Sequence, residues 1–152
     1  MGMLGEIESL YRERLRDFTR AASAIAGDEE AGRDAVQDAF AKLVRKRRRF
    51  RGEGSLEAWA WRFVVNAARD ARPRRSRVPS ASEQVAARAD DLGLPLELLT
   101  DRQREVLFLH YYADLDYTTI AEALGISPGT VGATLSAARE TLRGALRKEI
   151  SR

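Results

Sequence analysis

Cysteine is absent from the sequence, and His110 is the only histidine. Without cysteine the chain has no disulfide framework, no thiolate metal site and no cysteine nucleophile. A single histidine excludes a histidine-rich metal site and any acid–base pair of two histidines. No paired carboxylates or metal-ligand cluster can be assigned to one site either. We therefore expect no catalytic residues, no metal, no cofactor and no enzymatic activity, with His110 a partly buried helix residue.

Long apolar runs are also missing, since none approaches the roughly 20 residues that a membrane-spanning helix needs. The N-terminus shows no signal-peptide pattern. Hydrophobic residues make up 44% of the 152 residues and charged residues 32%, which is an ordinary globular composition. These features predict a soluble, cytoplasmic protein without membrane insertion, with one large domain or two small ones.

Lysine is scarce, although 26 basic side chains face 23 acidic ones and give a formal net charge of +3. The only lysines are Lys42, Lys46 and Lys148, so arginine supplies the other 23 basic side chains. Seven basic residues and no acid lie in residues 42–51, and five arginines lie in residues 69–77. One such block alone would be typical of a solvated surface or a helix end. Two blocks on one small chain favour a polyanionic partner such as nucleic acid.

The helical spacing of apolar residues predicts three helices in the first half of the chain. The first carries an apolar stripe over residues 7–25. Asp28 is the expected N-cap of the second helix, which runs into the basic block. Ser55 is the expected N-cap of the third, and Pro73 indicates that this helix ends or kinks near Arg72. The apolar stripe of the third helix consists of Leu56, Trp59, Ala60, Phe63, Val64 and Ala67.

Residues 77–94 have no large apolar face and are predicted to be a linker. Beyond them, Thr100 and Gln103 form the capping-box pattern that opens another helix. No segment shows the sustained alternation of a strand. The sequence therefore predicts an all-α fold of two small helical domains, over residues 1–76 and 95–152, joined by a flexible linker.

Residues 117–135 fit a helix-turn-helix motif. The first helix has large apolar residues at its two core positions and Ala121 where the two helices must approach closely. Gly125 stands at the turn, where a positive φ is needed. Ser127 is the expected N-cap of the second helix and Pro128 its first residue. An ordinary helical hairpin would explain the apolar spacing, but it would not require all four of these features, so the motif predicts recognition of duplex DNA.

The second helix of this motif divides by its spacing into a buried and an exposed face. The predicted buried stripe is Val131, Leu135, Ala138, Leu142 and Leu146. The residues expected to face the DNA groove are Ser127, Pro128, Gly129, Thr130, Ala133, Thr134 and Ala137. This face is small and uncharged, so it offers backbone N–H groups, hydroxyls and methyl contacts but no bidentate arginine.

Taken together, these features make the chain resemble a bacterial RNA polymerase sigma factor of the extracytoplasmic-function (ECF) type, in the sigma-70 family. Residues 34–75 are similar to the second conserved region of that family, and residues 99–146 to the fourth. The features that carry the first similarity are Gln37-Asp38-x-Phe40, the basic segment, and Trp59 followed by Asn66 and Asp70. The resemblance covers roughly residues 7–75 and 95–147.

The resemblance implies a promoter-recognition subunit that cycles on and off core RNA polymerase. The helix that carries Asp34, Gln37 and Asp38 would dock on the clamp helices of the β′ subunit. The linker would thread toward the active-site and RNA-exit channels, and the C-terminal domain would bind the β flap and read the minus-thirty-five element. The expected partners are core polymerase and promoter DNA, with an inhibitory anti-sigma factor as a further candidate. The free protein is expected to be a monomer.

The resemblance also implies that the segment after the second helix binds the minus-ten element and helps to open it. Opening requires cations along the DNA backbone and a surface that captures unstacked bases. The candidate residues are Arg47, Arg48, Arg49, Phe50, Arg51, Trp61, Arg62, Asn66 and Arg69. Phe50 and Trp61 lie off the predicted stripe and are expected to be exposed, whereas Trp59 and Phe63 are expected to pack in the core.

The recognition helix departs from the family pattern. Many relatives carry a basic residue, a serine and an arginine where this chain has Gly132, Ala133 and Thr134, and no cation follows until Arg139. We therefore expect weak selectivity for the upstream element. Two alternatives stay open. One is a helix-turn-helix regulator that binds palindromic duplex sites as a dimer without polymerase. The other is a protein-interaction module that keeps the fold but does not read promoters.

Overall fold

The structure is a computed structural model that describes residues 2–72 and 95–150. These ranges contain six α-helices and two short 3-10 helices, and they contain no strand. The helices are α1 (Met3–Ala26), α2 (Glu29–Arg45), α3 (Leu56–Ala71), α4 (Asp101–Tyr111), α5 (Tyr117–Leu124) and α6 (Pro128–Ile150), with 3-10 turns at Arg47–Arg49 and Leu96–Leu98. The all-α fold predicted from the sequence is confirmed. The linker predicted for residues 77–94 lies outside the described residues.

Local capping bonds set the starts of the helices. The Asp28 carboxylate accepts the N–H of Ala31 at 2.9 Å, and the Ser55 hydroxyl accepts the N–H of Ala58 at 3.0 Å. Both arms of the capping box between Thr100 and Gln103 are formed. Each cap satisfies backbone donors that have no partner inside the helix, so the predicted helix starts are confirmed. No helix within the described ranges is both long enough and apolar enough to cross a membrane.

Helices α1, α2 and α3 pack around an aromatic centre. The ring centroids of Phe18 and Phe40 lie 5.0 Å apart, and those of Phe18 and Trp61 lie 4.4 Å apart. Phe18 and Trp61 are fully buried. The expectation that Trp61 is exposed is therefore wrong, and its indole ring cannot stack on a DNA base while this core is intact.

This error has a physical reason, which is that α3 is covered on more than one side. It contacts α1 and α2, and it also contacts α5 of the C-terminal half. Its buried residues are Ala58, Ala60, Trp61, Val64, Val65 and Ala68. Trp59 and Phe63 are only partly buried. A single amphipathic stripe, on which the prediction was based, describes a helix that packs on one side only.

Helices α4, α5 and α6 form the C-terminal unit, in which α5 and α6 make the helix-turn-helix. Gly125 ends α5 with a φ of 71°, and the Ser127 hydroxyl accepts the N–H of Thr130 at 3.1 Å at the start of α6. The predicted buried stripe of α6 is confirmed as far as Leu142, but Leu146 is 36% exposed. The turn glycine, cap and proline therefore have the local roles predicted for a helix-turn-helix.

The N-terminal unit (α1–α3) and the C-terminal unit (α4–α6) share one continuous apolar cluster. Helix α3 lies against α5, and α1 contacts α4. Arg14 on α1 ties the two units at the edge of this contact, because its Nη2 donates to the carbonyl oxygen of Ala113 at 2.7 Å. Its Nη1 pairs with Glu57 Oε1 at 2.7 Å. The C-terminal unit therefore covers part of α3.

Gly32 marks the closest approach of α1 and α2. A Cβ atom at this position would lie 2.5 Å from both the backbone nitrogen and the Cα of Ser23, so the helices would have to separate. We expect Gly32→Ala to lower the free energy of unfolding by about 1–3 kcal/mol, although alanine favours helix more than glycine does. Urea unfolding followed by circular dichroism measures the change.

Gly144→Ala is the matched control, because no atom lies within 4 Å of a Cβ built at Gly144. The same exchange in that open part of α6 should leave stability unchanged or raise it by up to about 1 kcal/mol. Equal effects at the two positions would contradict the close packing of α1 on α2.

Candidate nucleic-acid interface

The basic segment that follows α2 presents cations to solvent. Arg48, Arg49 and Arg51 are exposed. Arg47 is half-buried, and its Nη1 donates to the carbonyl oxygen of Val44 at 2.6 Å, which satisfies a backbone acceptor in the last turn of α2. The first three guanidinium groups are placed to meet a phosphate backbone, whereas Arg47 also supports the end of the helix.

An aromatic row lies beside this basic segment. The centroids of Phe50 and Trp59 are 5.1 Å apart, and those of Trp59 and Phe63 are 5.0 Å apart. All three side chains are half-buried, so they keep some ring surface in contact with solvent. A row of aromatic rings next to cations can stack unpaired bases while the cations hold the backbone. The structure places Trp59 and Phe63, and not Trp61, where such stacking could occur.

The sequence does indicate this aromatic row, but assigning Trp59 and Phe63 to the buried stripe of α3 hid it. Trp59 and Phe63 are four residues apart and therefore lie on one face of α3. Phe50, near the end of the basic segment, packs against Trp59 on that face with its ring tilted by 38°. A large aromatic residue between a helix and a basic loop can pack one part of its ring in the core and leave another part accessible to a ligand. Partial burial is consistent with both roles.

The candidate residues on α3 itself differ in their surroundings. Asn66 is exposed. Arg62 donates from Nη2 to the carbonyl oxygen of Glu122 at 2.7 Å, in α5. Arg69 makes a bidentate contact with Glu105 of α4, with Nε to Oε2 at 2.9 Å and Nη2 to Oε1 at 2.6 Å. Two of the arginines predicted to contact DNA are thus held by the C-terminal unit.

The contact between Arg69 and Glu105 is strongly charge-assisted. Glu105 is only 3% exposed and is the one charged residue among the buried residues of the described ranges. The hydrogen bonds that Arg69 donates to the Glu105 carboxylate raise the pKa of the Arg69 guanidinium above its ordinary value. Arg72 also reaches this carboxylate, with Nη2 at 3.5 Å from Oε2. Two guanidinium groups therefore compensate one buried carboxylate.

The groove-facing candidates at the start of α6 are open to solvent. Ser127, Pro128, Gly129, Thr130, Ala133 and Ala137 are exposed, and Thr134 is half-buried. The carboxylate of Asp116, which accepts the N–H of Thr119 at 2.8 Å, caps α5, and this bond lowers the Asp116 pKa. The surface that the motif would present to DNA is thus formed, small and uncharged.

The first cation of α6 points to a tyrosine. Arg139 donates from Nε and Nη2 to the Tyr111 hydroxyl at 2.9 and 2.6 Å. Its guanidinium also lies over the Tyr111 ring, 5.6 Å from the centroid. The hydrogen bond to Tyr111 raises the pKa of Arg139. This arrangement leaves the N-terminal half of the recognition helix without a cation aimed at DNA.

The predicted docking residues lie together on α2. Asp34, Gln37 and Asp38 are all exposed, and their spacing places them on one face of the helix.

His110 is half-buried, with Nδ1 at 3.1 Å from the carbonyl oxygen of Leu115. Within the described ranges, no cluster of three histidine or acidic residues could hold a metal ion.

Comparison with known proteins assigns both halves of the chain. Residues 10–78 match the family described as Sigma-70 region 2, and residues 91–142 match Sigma-70, region 4. The chain is 28% identical over 155 residues to RNA polymerase sigma factor YlaC of Bacillus subtilis, covering 90% of each chain. It is also 28% identical over 155 residues to the RNA polymerase sigma-E factor of Streptomyces coelicolor, covering 94% of this chain and 87% of the relative.

A solved structure shows the same architecture. The structure of CnrH in complex with the cytosolic domain of CnrY superposes with a TM-score of 0.74 and 26% sequence identity. The superposition covers 93% of this chain and 88% of that one. It therefore includes both helical units.

Proposed function

The chain belongs to the sigma-70 family and is an RNA polymerase sigma factor of the ECF type, and from this premise we propose how its two units share promoter recognition. The observation that carries the assignment is the occurrence of regions 2 and 4 in this order, over residues 10–78 and 91–142. Its general partners are RNA polymerase and promoter DNA. The finer assignment rests on the surfaces described above.

We propose that the exposed face of α2 docks on core polymerase. Asp34, Gln37 and Asp38 offer two carboxylates and an amide on one helix face, which suits a partner surface rich in cations. The resemblance to the family points to the clamp helices of β′ as that surface. The C-terminal unit would bind the β flap in the same complex.

The minus-ten element would meet the N-terminal unit. Arg48, Arg49 and Arg51 supply phosphate contacts, and the aromatic row of Phe50, Trp59 and Phe63 supplies stacking for unpaired bases. Cations that follow the backbone and rings that stack bases are the combination used for single strands. Arg62, Asn66 and Arg69 would extend this surface along α3. Trp61 belongs to the core and is not part of the proposal.

The minus-thirty-five element would meet the start of α6, with modest selectivity. The face offers hydroxyls, methyl groups and backbone N–H groups but no bidentate arginine, each of which would contribute about 1–3 kcal/mol of discrimination. The Arg139 guanidinium is hydrogen-bonded to Tyr111. We therefore infer that specificity rests mainly on the N-terminal unit.

Run-off transcription with purified core polymerase tests the function. The protein should direct transcripts of defined length from a set of genomic promoter fragments that core enzyme alone does not transcribe. Base changes in the minus-ten element should reduce these transcripts more than changes in the minus-thirty-five element. A lack of protein-dependent transcripts would refute the proposal. In that case, binding of the protein as a dimer to a palindromic duplex would support a helix-turn-helix regulator. Binding to a partner protein but not to DNA would support an interaction module.

Asp38→Arg should weaken binding to core polymerase without unfolding the protein, because Asp38 is exposed on α2. Removing one partner of a close charged contact costs about 2–5 kcal/mol, so we expect at least a roughly tenfold higher Kd. Fluorescence anisotropy of labelled protein titrated with core enzyme measures this Kd. Glu13→Arg, at an exposed position on α1, makes the same change of charge away from the proposed docking faces and should leave the Kd unaltered. Equal Kd values for Asp38→Arg and the wild type would place the docking face elsewhere.

Replacing Arg48, Arg49 and Arg51 with alanine should reduce the salt dependence of promoter binding by the holoenzyme. Each lost phosphate contact lowers the log–log salt slope by about 0.7–0.9, so the triple variant should lose roughly 2–3 units of slope. The same three positions changed to lysine keep the charge and should keep the slope. If the alanine variant has the wild-type slope, these side chains form only a solvated surface.

A further inference from the structure

The two helical units are joined by a polar contact that uses residues proposed to bind promoter DNA. Glu105 of α4 is 3% exposed, and its two carboxylate oxygens accept hydrogen bonds from Nη2 and Nε of Arg69 at 2.6 and 2.9 Å. Arg72 adds a third contact at 3.5 Å, and its Nη1 pairs with Asp101 at 3.1 Å. Removing either arginine would leave the buried carboxylate less well compensated, which favours its exposure to water by separation of the two units.

A second contact lies at the other end of α3. Arg62 donates to the carbonyl oxygen of Glu122 at 2.7 Å, and the backbone N–H of Ser55 donates to Glu122 Oε2 at 3.3 Å. Gly54 has a φ of 77°, and a Cβ there would lie 2.6 Å from the same carboxylate oxygen. The backbone of the loop therefore comes directly against the Glu122 side chain.

These contacts fall on one face of α3. Ser55, Arg62 and Arg69 are spaced seven residues apart, which is about two helical turns. Ala58 and Val65, on the same face by spacing, are buried. The C-terminal unit thus lies along the side of α3 that carries two of the arginines assigned to the minus-ten element. A guanidinium bound at two points by Glu105 cannot give the same hydrogen bonds to a phosphate or a base.

We propose that the structure is a closed state of the free chain, in which Glu105 acts as a latch on Arg69 and Arg72 and keeps α3 from promoter DNA. This inference rests on the proposed function of α3 and adds to it a regulation by the chain's own C-terminal unit. When the chain opens, the guanidinium groups of Arg69 and Arg72 leave the Glu105 carboxylate and can bind DNA phosphates instead. The charge-assisted bonds are replaced and not merely lost, so polymerase and promoter can favour the open state.

The state of the free protein can be measured directly because the chain has no cysteine. Glu30→Cys on α2 and Glu149→Cys on α6 provide two exposed positions for a donor and an acceptor dye, one on each unit. Single-molecule energy transfer should show mainly the short distance of the closed state. Glu105→Gln should shift the population to longer distances, because a neutral amide cannot compensate two guanidinium groups.

Glu140→Gln is the matched control, since Glu140 is exposed and pairs with Arg143 within α6 at 3.5 Å. This variant should show the same distance distribution as the wild type. Glu122→Ala, at a half-buried position, tests the second contact between the units, because it removes the carboxylate that accepts the Ser55 N–H. It should also increase the open population. It keeps the proposal testable if circular dichroism shows that Glu105→Gln does not fold.

The consequence for nucleic acid is measured on the free proteins with a single-stranded thymidine oligonucleotide, which aromatic rings bind without a need for sequence. If the open fraction of the wild type is about a tenth or less, a largely open variant should bind at least about tenfold more tightly, since the apparent Kd is the intrinsic Kd divided by that fraction. Glu140→Gln should bind like the wild type.

The outcomes separate this proposal from the proposed function. A wild type that is mainly open, or a folded Glu105→Gln variant that stays as closed as the wild type, overturns the latch even if run-off transcription succeeds. An open variant that binds the oligonucleotide no better than the wild type overturns the claim that closure covers α3. A closed wild type, opened by both variants with tighter oligonucleotide binding, supports the latch even if run-off transcription fails.

Discussion

The rest of the structure depends on the burial of α3 between α1 and α2 on one side and the C-terminal unit on the other. The side of α3 that faces α1 and α2 contributes Trp61 to the core, where it contacts Phe18. Another side carries Arg62 and Arg69, which contact the C-terminal unit. Three helices alone bury little surface, and units of this size are marginally stable on their own. A shared helix lets both units contribute to one apolar cluster. The same helix therefore serves the stability of the fold and the proposed contact with the promoter.

Features that depend on near neighbours in the sequence could be predicted from it. The caps at Asp28, Ser55 and Thr100 each involve a bond to a residue three positions away. The helix-turn-helix was recognisable for the same reason, because a turn glycine, a cap and a proline fix the local backbone.

Features that depend on distant contacts could not be predicted in this way. Nothing in the local pattern around Trp61 shows that α3 is covered on a second side. Arg69 and Glu105 are 36 positions apart, and no periodicity connects them. The same charge that made Arg69 a candidate for DNA also makes it a partner for a buried carboxylate. Charge alone could predict that the residue binds an anion, but not which anion it meets in the free chain.

Because Arg62 and Arg69 have two partners, their substitution alters two equilibria at once. Alanine at either position removes a contact with the promoter, which weakens binding, and it also loosens the closed state, which favours binding. The two changes in free energy have opposite signs and partly cancel in any single measurement of affinity. A mutational scan of α3 would then assign these arginines too small a role, and only double-mutant cycles with Glu105 would separate the two contributions.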